Sequence, residues 1–308
     1  MASYRALLSS GELRERAERA WGLLHRCRLC PRQCGTARIG DEVGMCRTGR
    51  RAVVSSHGPH FGEEAPLVGW GGSGTIFFTH CNLRCVFCQN YDISQLGNGF
   101  PVDAAALARI MLALQQRGCH NINLVSPTHV VPQILDALVI AAEAGLDLPL
   151  VYNCGGYESL EALALLDGVV DIYMPDAKYA DEMTARRLSG VKGYPAANCA
   201  ALREMHRQVG DLTLDERGVA QRGLLVRHLV LPNGLAGTPE VVSFLARELS
   251  ARTYTNVMAQ YRPCYRAHRF PPLARPVTGE EYLAAVDAAR RAGLERLDRP
   301  VYSGALSF

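Results

Sequence analysis

Short apolar runs alternate with helical patterns along most of this 308-residue chain, and this alternation limits the fold more than any other feature. From about residue 74 onward, the strand-like runs are 74–78, 121–126, 149–153, 169–174, 224–231 and 256–261. Helical patterns lie between or after them at 103–117, 131–144, 158–166, 180–189, 198–209, 238–250 and 279–292. Strands that alternate with helices predict βαβ units around a parallel sheet, which is the α/β class. Such a sheet is either open and doubly wound, or a partly closed barrel.

Polar and unusual residues follow each of the predicted strands. In chain order these segments are THCNLRC, SPTH, NCGG, PDAK, PNG and RPC. The carboxyl ends of parallel strands meet on one side of a sheet or barrel, and ligands bind there. The sequence therefore predicts a single active face.

The first 73 residues have a different pattern. A helix is predicted near the start, because Ser9 and Glu12 have the spacing of a capping box and apolar residues recur on one face. Residues 27–74 are rich in Cys, Gly and Arg and show little periodicity. We therefore predict two domains, an N-terminal helix with a metal-binding module at 1–73 and an α/β domain at 74–308.

The charge balance and the N-terminus argue against several classes of protein. The 33 Lys and Arg residues and 30 Asp and Glu residues give a net charge of +3, so no broad field for nucleic acid or a membrane is expected. The N-terminus lacks the apolar core of a secretory signal, and no apolar stretch approaches the roughly 18 residues that span a bilayer. We expect a cytoplasmic protein that binds neither membrane nor nucleic acid. In that compartment the eleven cysteines are not expected to form disulfides, and clustered thiols indicate metal.

Two groups of cysteines are clustered. The N-terminal group has the spacing C-x2-C-x3-C-x11-C and consists of Cys27, Cys30, Cys34 and Cys46. Four thiols within twenty residues fit either a structural zinc site or a second [4Fe-4S] cluster. Either metal would order a segment that has too few apolar residues to fold alone.

The second group is Cys81, Cys85 and Cys88, which follow the first predicted strand with the spacing C-x3-C-x2-C. A structural zinc site needs four ligands, so zinc here would have to recruit Cys119 or a histidine such as His80. An iron–sulfur cluster held by three thiolates would instead leave one iron open to an external ligand.

This loop, with Phe87 just before its last cysteine, resembles the signature of the radical S-adenosylmethionine (SAM) enzymes. The segments GSGTIFFTHCNLRCVFCQN, NINLVSPTH, VYNCGGYES, VDIYMPDAKY, RHLVLPNG and MAQYRP resemble one subgroup, the iron–sulfur proteins related to the pyruvate formate-lyase activating enzyme. The likeness covers roughly residues 27–290. It implies a partial (β/α)6 TIM-like barrel with an N-terminal cysteine-rich metal-binding extension.

The resemblance also implies cofactors and chemistry. Cys81, Cys85 and Cys88 would hold three irons of a [4Fe-4S] cluster, and the amino and carboxylate groups of SAM would bind the fourth. Reductive cleavage of SAM would then give a 5′-deoxyadenosyl radical, which abstracts hydrogen from a substrate. An external reductant such as flavodoxin or ferredoxin is implied as a partner.

Several positions match SAM contacts of related enzymes. The implied contacts are Phe87, Ser126, Thr128, Asn153, Asp176, Lys178 and Arg227. Ser126 and Thr128 belong to the run Ser-Pro-Thr-His, which stands where related enzymes often have Gly-Gly-Glu-Pro. Asp176 and Lys178 have the spacing seen in glycyl-radical activases, and Arg227 equally fits a partner for a buried carboxylate.

Three functions are consistent with the sequence. The activase resemblance favours an enzyme that generates a radical on a protein, in the manner of a glycyl-radical activase. A radical SAM enzyme that modifies a small molecule or peptide is the alternative. A non-catalytic metal-binding or redox protein is the alternative of another class.

Overall fold

A computed structural model describes residues 2–298 of the chain; Met1 and residues 299–308, at the outer ends of the two predicted domains, lie outside the described residues. The strands are β1 (Ala52–His60), β2 (Ser73–Phe78), β3 (Phe100–Val102), β4 (Ile122–Val125), β5 (Leu150–Cys154), β6 (Ile172–Pro175), β7 (Thr213–Leu214), β8 (Ala220–Leu229) and β9 (Tyr254–Met258). The helices are α1 (Tyr4–Ser10), α2 (Glu12–Gly22), α3 (Ala65–Val68), α4 (Tyr91–Ser94), α5 (Ala104–Gln116), α6 (Val131–Glu143), α7 (Leu160–Leu166), α8 (Glu182–Ser189), α9 (Tyr194–Val209), α10 (Thr238–Phe244) and α11 (Gly279–Ala292).

Six parallel strands form the centre of the fold, in the order β2-β4-β5-β6-β8-β9. They are the six strands that the sequence predicts, and a helix follows each of the first five. The α/β class and the partial TIM-like barrel are therefore confirmed.

Alternate residues of the barrel strands face two different cores. Val151, Ile172, Met174 and Leu225 pack together inside the barrel with Leu67 of α3. Their neighbours along the strands belong to a larger core under the surrounding helices, which includes Ile76, Leu124, Tyr152, Tyr173 and Val226. Because the strands are buried on both faces, they have the continuous apolar character that made them recognisable in the sequence.

The N-terminal part differs from the prediction in two respects. The helix predicted there is α2, and a helix that was not predicted, α1, precedes it; Gly11 adopts φ = 84° between the two. The capping box at Ser9 and Glu12 is wrong, since Gly11 is the N-cap of α2 and the Ser9 hydroxyl donates instead to the Arg5 carbonyl at 3.0 Å. The predicted apolar face of α2 does form, with Leu13, Ala17 and Ala20 buried.

Strand β1 is an element that the sequence analysis did not predict. It pairs antiparallel with β2 and, on its other edge, with β3. Its second half reads SSHGPH, which lacks the apolar residues that mark a strand. β1 joins segment 1–73 to the sheet of segment 74–308, and the domain boundary stays a prediction.

The barrel is open between its first and last parallel strands, because β2 and β9 do not pair with each other. The segment between β1 and β2 fills this gap. Leu67 packs inside the barrel, and the Asn256 side chain of β9 donates to Glu64 Oε1 at 2.9 Å. The gap-closing segment, residues 61–68, therefore contributes side chains to the barrel interior.

Candidate active site

The loop that follows β2 carries Cys81, Cys85 and Cys88, and each sulfur has a polar neighbour. Cys85 Sγ lies 3.0 Å from Ser189 Oγ, and Cys88 Sγ lies 3.1 Å from Ser94 Oγ. The backbone N–H of Leu83 points at Cys81 Sγ at 3.4 Å. Hydrogen bonds of this kind stabilise and tune sulfur atoms that bind iron.

Burial controls the protonation of these thiols. Burial, together with a negative charge on Cys85, raises the pKa of Cys81 to about 12 and that of Cys88 to about 11. Lys178 lowers the pKa of both thiols, since its positive charge favours the thiolate. Three thiolates in this loop therefore need additional positive charge, which bound metal supplies.

A glycine allows the cysteine loop to sit close to the strand ends. Gly155 follows β5, and a Cβ added there would lie 2.6 Å from Leu83 Cδ1. Phe87 is buried below the loop and contacts the rings of Tyr179 and Tyr261 edge-on, at centroid distances of 6.5 and 5.8 Å. The aromatic cluster thus supports the loop from beneath, and a contact between Phe87 and SAM stays a prediction.

Four of the predicted residues form one chain of polar contacts at the strand ends. Lys178 Nζ lies 2.5 Å from Asp176 Oδ2, and Arg227 Nε lies 3.0 Å from Asp176 Oδ1. Arg227 Nη2 also donates to Asn153 Oδ1 at 2.7 Å. The structure therefore brings Asn153, Asp176, Lys178 and Arg227 together, and Arg227 pairs with a largely buried carboxylate, close to one of the two roles that its position suggested.

The ion pairs fix the charges of Asp176, Lys178 and Arg227. Burial raises the pKa of Asp176, but Arg227 and Lys178 outweigh burial and hold it below the usual value for Asp. The pKa values of Lys178 and Arg227 are raised in turn, because attraction to Asp176 outweighs burial. The three groups stay ionised, and their side chains are only 14–18% exposed.

Ser126 and Thr128 are placed differently from each other. Ser126 ends β4 with φ = 59°, a left-handed conformation that is uncommon for serine and is found at functional strand ends. Its N–H donates to the Asn153 carbonyl at 2.8 Å, so it lies beside the polar chain. The Thr128 hydroxyl instead donates to Glu158 Oε1 at 2.7 Å in a buried pair.

Glu158 is a buried carboxyl that the sequence analysis missed. It accepts hydrogen bonds from Thr128 and from the Tyr152 hydroxyl, the latter at 3.0 Å. Burial raises its pKa to about 7, although these hydrogen bonds oppose the rise. No local pattern marks it, because its partners lie in the turn after β4 and in β5, apart from Glu158 in the chain.

The N-terminal cysteines also lie near one another. Burial raises the pKa of Cys27, and burial together with the charges of Cys46 and Cys27 raises that of Cys30 to about 12. Cys34 accepts a hydrogen bond from the Thr36 hydroxyl at 3.4 Å; burial raises its pKa, but hydrogen bonds bring it below the usual value. The buried Arg38 points Nη1 at Cys27 Sγ at 3.7 Å.

Arginines join the two cysteine groups. Arg32, between Cys30 and Cys34, donates to the carbonyl of Asn82 at 2.7 Å. Arg84, between Cys81 and Cys85, donates back to the carbonyl of Met45 at 3.2 Å. A third contact runs from Arg47, next to Cys46, to the carbonyl of Gln95 at 2.9 Å. The N-terminal module therefore lies directly against the cysteine loop.

Comparisons with known proteins agree with this arrangement. The family model described as the radical SAM superfamily matches residues 75–217, which includes the cysteine loop and the strands up to β7. An uncharacterised protein of Methanocaldococcus jannaschii, MJ0674, is 32% identical over 290 residues, which is 91% of this chain and 79% of the relative. The chain belongs to the radical SAM superfamily.

Two solved structures are similar to this chain. HydG, a maturase of the [FeFe]-hydrogenase, has a TM-score of 0.50 and 13% identity over 71% of this chain and 49% of its own. SuiB of Streptococcus suis, solved with its precursor peptide SuiA, has a TM-score of 0.46 and 14% identity over 73% of this chain and 47% of its own. The chain thus spans about half the length of these two proteins. At such identities the likeness to HydG concerns the fold alone.

Radical SAM enzymes use a [4Fe-4S] cluster and SAM, so the cofactor prediction is confirmed for the family. The donor set after β2 fits such a cluster: three thiols in one loop, each beside a hydrogen-bonding group, with the ammonium of Lys178 acting on all three. Among residues 2–298, no three His, Cys, Asp or Glu side chains converge closely enough to enclose a single metal ion.

The gap-closing segment adds acidic residues to this radical SAM site. Glu63 Oε2 lies 3.8 Å from Arg227 Nη1, and Glu63 Oε1 lies 3.4 Å from His60 Nδ1. Glu64 reaches Asn256 of β9. The sequence analysis did not identify either glutamate, although two adjacent acidic residues before the apolar run of α3 were an available signal.

No helix within residues 2–298 is both long and apolar enough to cross a membrane.

Proposed function

We propose that Cys81, Cys85 and Cys88 hold the [4Fe-4S] cluster and that SAM lies between this cluster and the polar chain of Lys178, Asp176 and Arg227. The observation that carries the proposal is the position of Lys178, which acts electrostatically on all three cysteines and also pairs with Asp176 at 2.5 Å. When bound, the cluster and SAM supply reductive cleavage of the sulfonium and hydrogen abstraction from a substrate.

The protein's own residues bind and orient in this proposal. Lys178 and Arg227 provide cations for the SAM carboxylate, and Asp176 holds both cations in place. Asn153 fixes the Arg227 guanidinium through its amide oxygen. Ser126, at the next strand end, offers its hydroxyl to the SAM amino group. The buried rings of Phe87, Tyr179 and Tyr261 exclude water beneath the cysteine loop.

We infer that the substrate is a small molecule or a peptide chain that enters a narrow recess. The side chains of Lys178, Asp176 and Arg227 are only 14–18% exposed, and Leu67 of the gap-closing segment packs inside the barrel, so little room is left around them. Radical formation on a protein glycine, as in an activase, stays a prediction. An external reductant such as flavodoxin or ferredoxin and a cytoplasmic location also stay predictions.

The N-terminal cysteines Cys27, Cys30, Cys34 and Cys46 are proposed to share one metal centre, either zinc or a second iron–sulfur cluster. The arginine contacts to the cysteine loop support a position close to the first cluster. A second cluster there would relay electrons, whereas zinc would stabilise the module.

SAM cleavage tests the main assignment. Anaerobically purified protein should be brown and should release 5′-deoxyadenosine with SAM and dithionite. A variant with alanine at Cys81, Cys85 and Cys88 should release none. Release at the parental rate by this variant would reject the site, and a colourless protein that binds no SAM would favour a non-catalytic metal-binding role.

The same triple variant isolates the N-terminal centre. Its remaining metal is expected to be bound by Cys27, Cys30, Cys34 and Cys46. Iron with sulfide would identify a second cluster, and zinc would identify a structural site. Well-folded protein with neither metal would contradict a shared centre.

A further inference from the structure

The gap-closing segment places two glutamates on the side of the polar chain that lies away from the cysteines. Lys178 is the member of the polar chain nearest the cysteines: its charge lowers the pKa of Cys81 and Cys88, and a charge on Cys85 raises the pKa of Lys178. Arg227 lies beyond Asp176, and charges on Glu63 and Glu64 raise its pKa. The order is therefore cysteines, Lys178, Asp176, Arg227 and then the glutamates. A SAM molecule held at the cysteine end leaves the glutamates facing what lies beyond it.

The carboxylates at this far end are incompletely paired. Arg227 directs Nε to Asp176 and Nη2 to Asn153, and its Nη1 is 3.8 Å from Glu63, which is beyond hydrogen-bond distance. Glu64 is 7% exposed; its Oε1 accepts from Asn256, whereas its Oε2 is buried and has no hydrogen-bond partner among residues 2–298. A buried carboxylate oxygen without a partner is costly unless a ligand binds it.

A second unpartnered group lies inside the barrel. Asn123 of β4 is fully buried, and neither its Oδ1 nor its Nδ2 has a partner within the described part of the chain. It is aligned in the sheet with Val151, which packs inside the barrel against Leu67 of the gap-closing segment. Asn123 therefore offers a further acceptor to the same interior.

The charges in this region favour a cation. Glu63, Glu64 and Asp176 are three carboxylates, and the two cations of the polar chain, Lys178 and Arg227, are both engaged by Asp176. Burial raises the pKa of Glu63 against the lowering effect of Arg227, and a charge on Glu64 raises it further. A bound cation would relieve this repulsion, and several N–H groups on one nitrogen would match the free acceptor oxygens.

We propose that Glu63 and Glu64 bind a positively charged nitrogen of the substrate, an ammonium or guanidinium group, and so hold the substrate on the far side of SAM from the cluster. This inference rests on the proposed function. It assigns the substrate to the class of amines, amino acids or cationic peptides, with Glu64 Oε2 as the group that the ligand satisfies.

The test separates extract of fully deuterated cells by cation exchange at about pH 2, where carboxylates are protonated and compounds with an ammonium or guanidinium group are retained, into a retained and an unretained pool. Each pool is then incubated anaerobically at neutral pH with protein, unlabelled SAM and dithionite. The measured product is 5′-deoxyadenosine that carries a single deuterium, which distinguishes transfer from the cleavage of deuterated SAM carried over from the cells. We expect transfer from the retained pool alone. Glu64→Gln keeps an acceptor for Asn256 but removes the charge, so transfer should fall about tenfold or more. The control Glu240→Gln, on the exposed first turn of α10, should transfer at the parental rate.

Two readouts besides turnover complete the test. In equilibrium dialysis against the retained pool, compounds that concentrate with the parental protein should carry positive charge and should be lost with Glu64→Gln. Iron content must match between the variants, which excludes a lost cluster as the cause.

Each failure has a separate meaning. If no 5′-deoxyadenosine forms under any condition, the proposed function is rejected. If it forms and deuterium arrives from the unretained pool, or if Glu64→Gln transfers at the parental rate, the cation site is rejected alone. Stoichiometric magnesium or calcium that is present in the parental protein and absent from Glu64→Gln would also reject a substrate cation in favour of a metal ion.

Discussion

Asp176 is a carboxylate only 14% exposed, and its two neighbours, Lys178 and Arg227, come from the same strand end and from the adjacent strand. Burial alone would favour its neutral form, but the two cations keep its pKa low. Taking one partner from such a set leaves an uncompensated buried charge, which costs about 3–5 kcal/mol. Removal of one member therefore destabilises the folded protein. The intact arrangement holds two cations at a fixed place beside the cysteine loop.

Replacement of these residues should separate SAM binding from cluster binding. Lys178→Ala and Asp176→Ala are expected to weaken SAM binding or uncouple its cleavage, and iron content should not change. Asp176→Ala should be the more damaging, because it leaves two cations unpaired.

The matched control for these variants is Arg203→Ala. Arg203 pairs with Glu248, and both side chains are about half exposed. Exposed pairs contribute about 0–1 kcal/mol, so SAM kinetics should stay at the parental value. Parental kinetics in both Lys178→Ala and Asp176→Ala would show that their pairing is purely structural.

Two elements hold the cysteine loop, one on each side. Helix α8 accepts the N–H groups of Arg84 and Val86 on its last carbonyls, and Ser189 reaches Cys85. The N-terminal module holds the opposite side through Arg32, which donates to Asn82 at 2.7 Å and to Gly190 at 2.8 Å. One arginine thus connects the module both to the loop and to the residue that follows α8.

Loss of this connection should loosen the cluster. Arg32→Gln cannot span both carbonyls, so we expect iron to be lost to a chelator several-fold faster than from the parental protein. Arg28→Gln is the control, because Arg28 lies in the same module and pairs with the exposed Glu161 rather than with the cysteine loop. Equal rates of iron loss in Arg32→Gln and Arg28→Gln would mean that the module does not support the loop.

The parts that the sequence predicted are those with a local signature. Strands β2, β4, β5, β6, β8 and β9 were predictable because burial on both faces makes them apolar, and Cys81, Cys85 and Cys88 because their spacing is short. Strand β1 was not, since SSHGPH has no strand-like pattern. Glu63 and Glu64 were missed because their role depends on Arg227 and Asn256, which are far away in the chain.

His129 makes the stability of the entire protein depend on pH. It is buried beside β2, with Nε2 2.9 Å from the Thr79 carbonyl, and Nδ1 has no partner among residues 2–298. Burial lowers its pKa to about 3, and the charge of Arg38 contributes. The folded state therefore favours neutral His129, while the unfolded chain gains a proton near pH 6.5.

The sign of the effect follows from this difference. Stability is fully present above about pH 6.5 and should fall by about 1.4 kcal/mol per pH unit below it, until the folded protein also binds the proton near pH 3. Urea unfolding of His129→Gln between pH 7 and pH 5 should show a smaller slope. Replacement of the exposed His25 by Gln should leave the slope as in the parental protein, and an unchanged slope in His129→Gln would contradict the assignment.

The contact between Glu64 and Asn256 spans 192 residues, whereas the arginine contacts of Arg32, Arg84 and Arg47 span 39 to 50. Synthesis on the ribosome therefore delivers the partners of the cysteine loop long before β9 exists. Contacts that are distant in sequence also carry the larger entropy of loop closure. The N-terminal module and the cysteine loop can thus form their contacts while β9 is still being translated. The barrel interior is enclosed only after β9, the last parallel strand, has emerged.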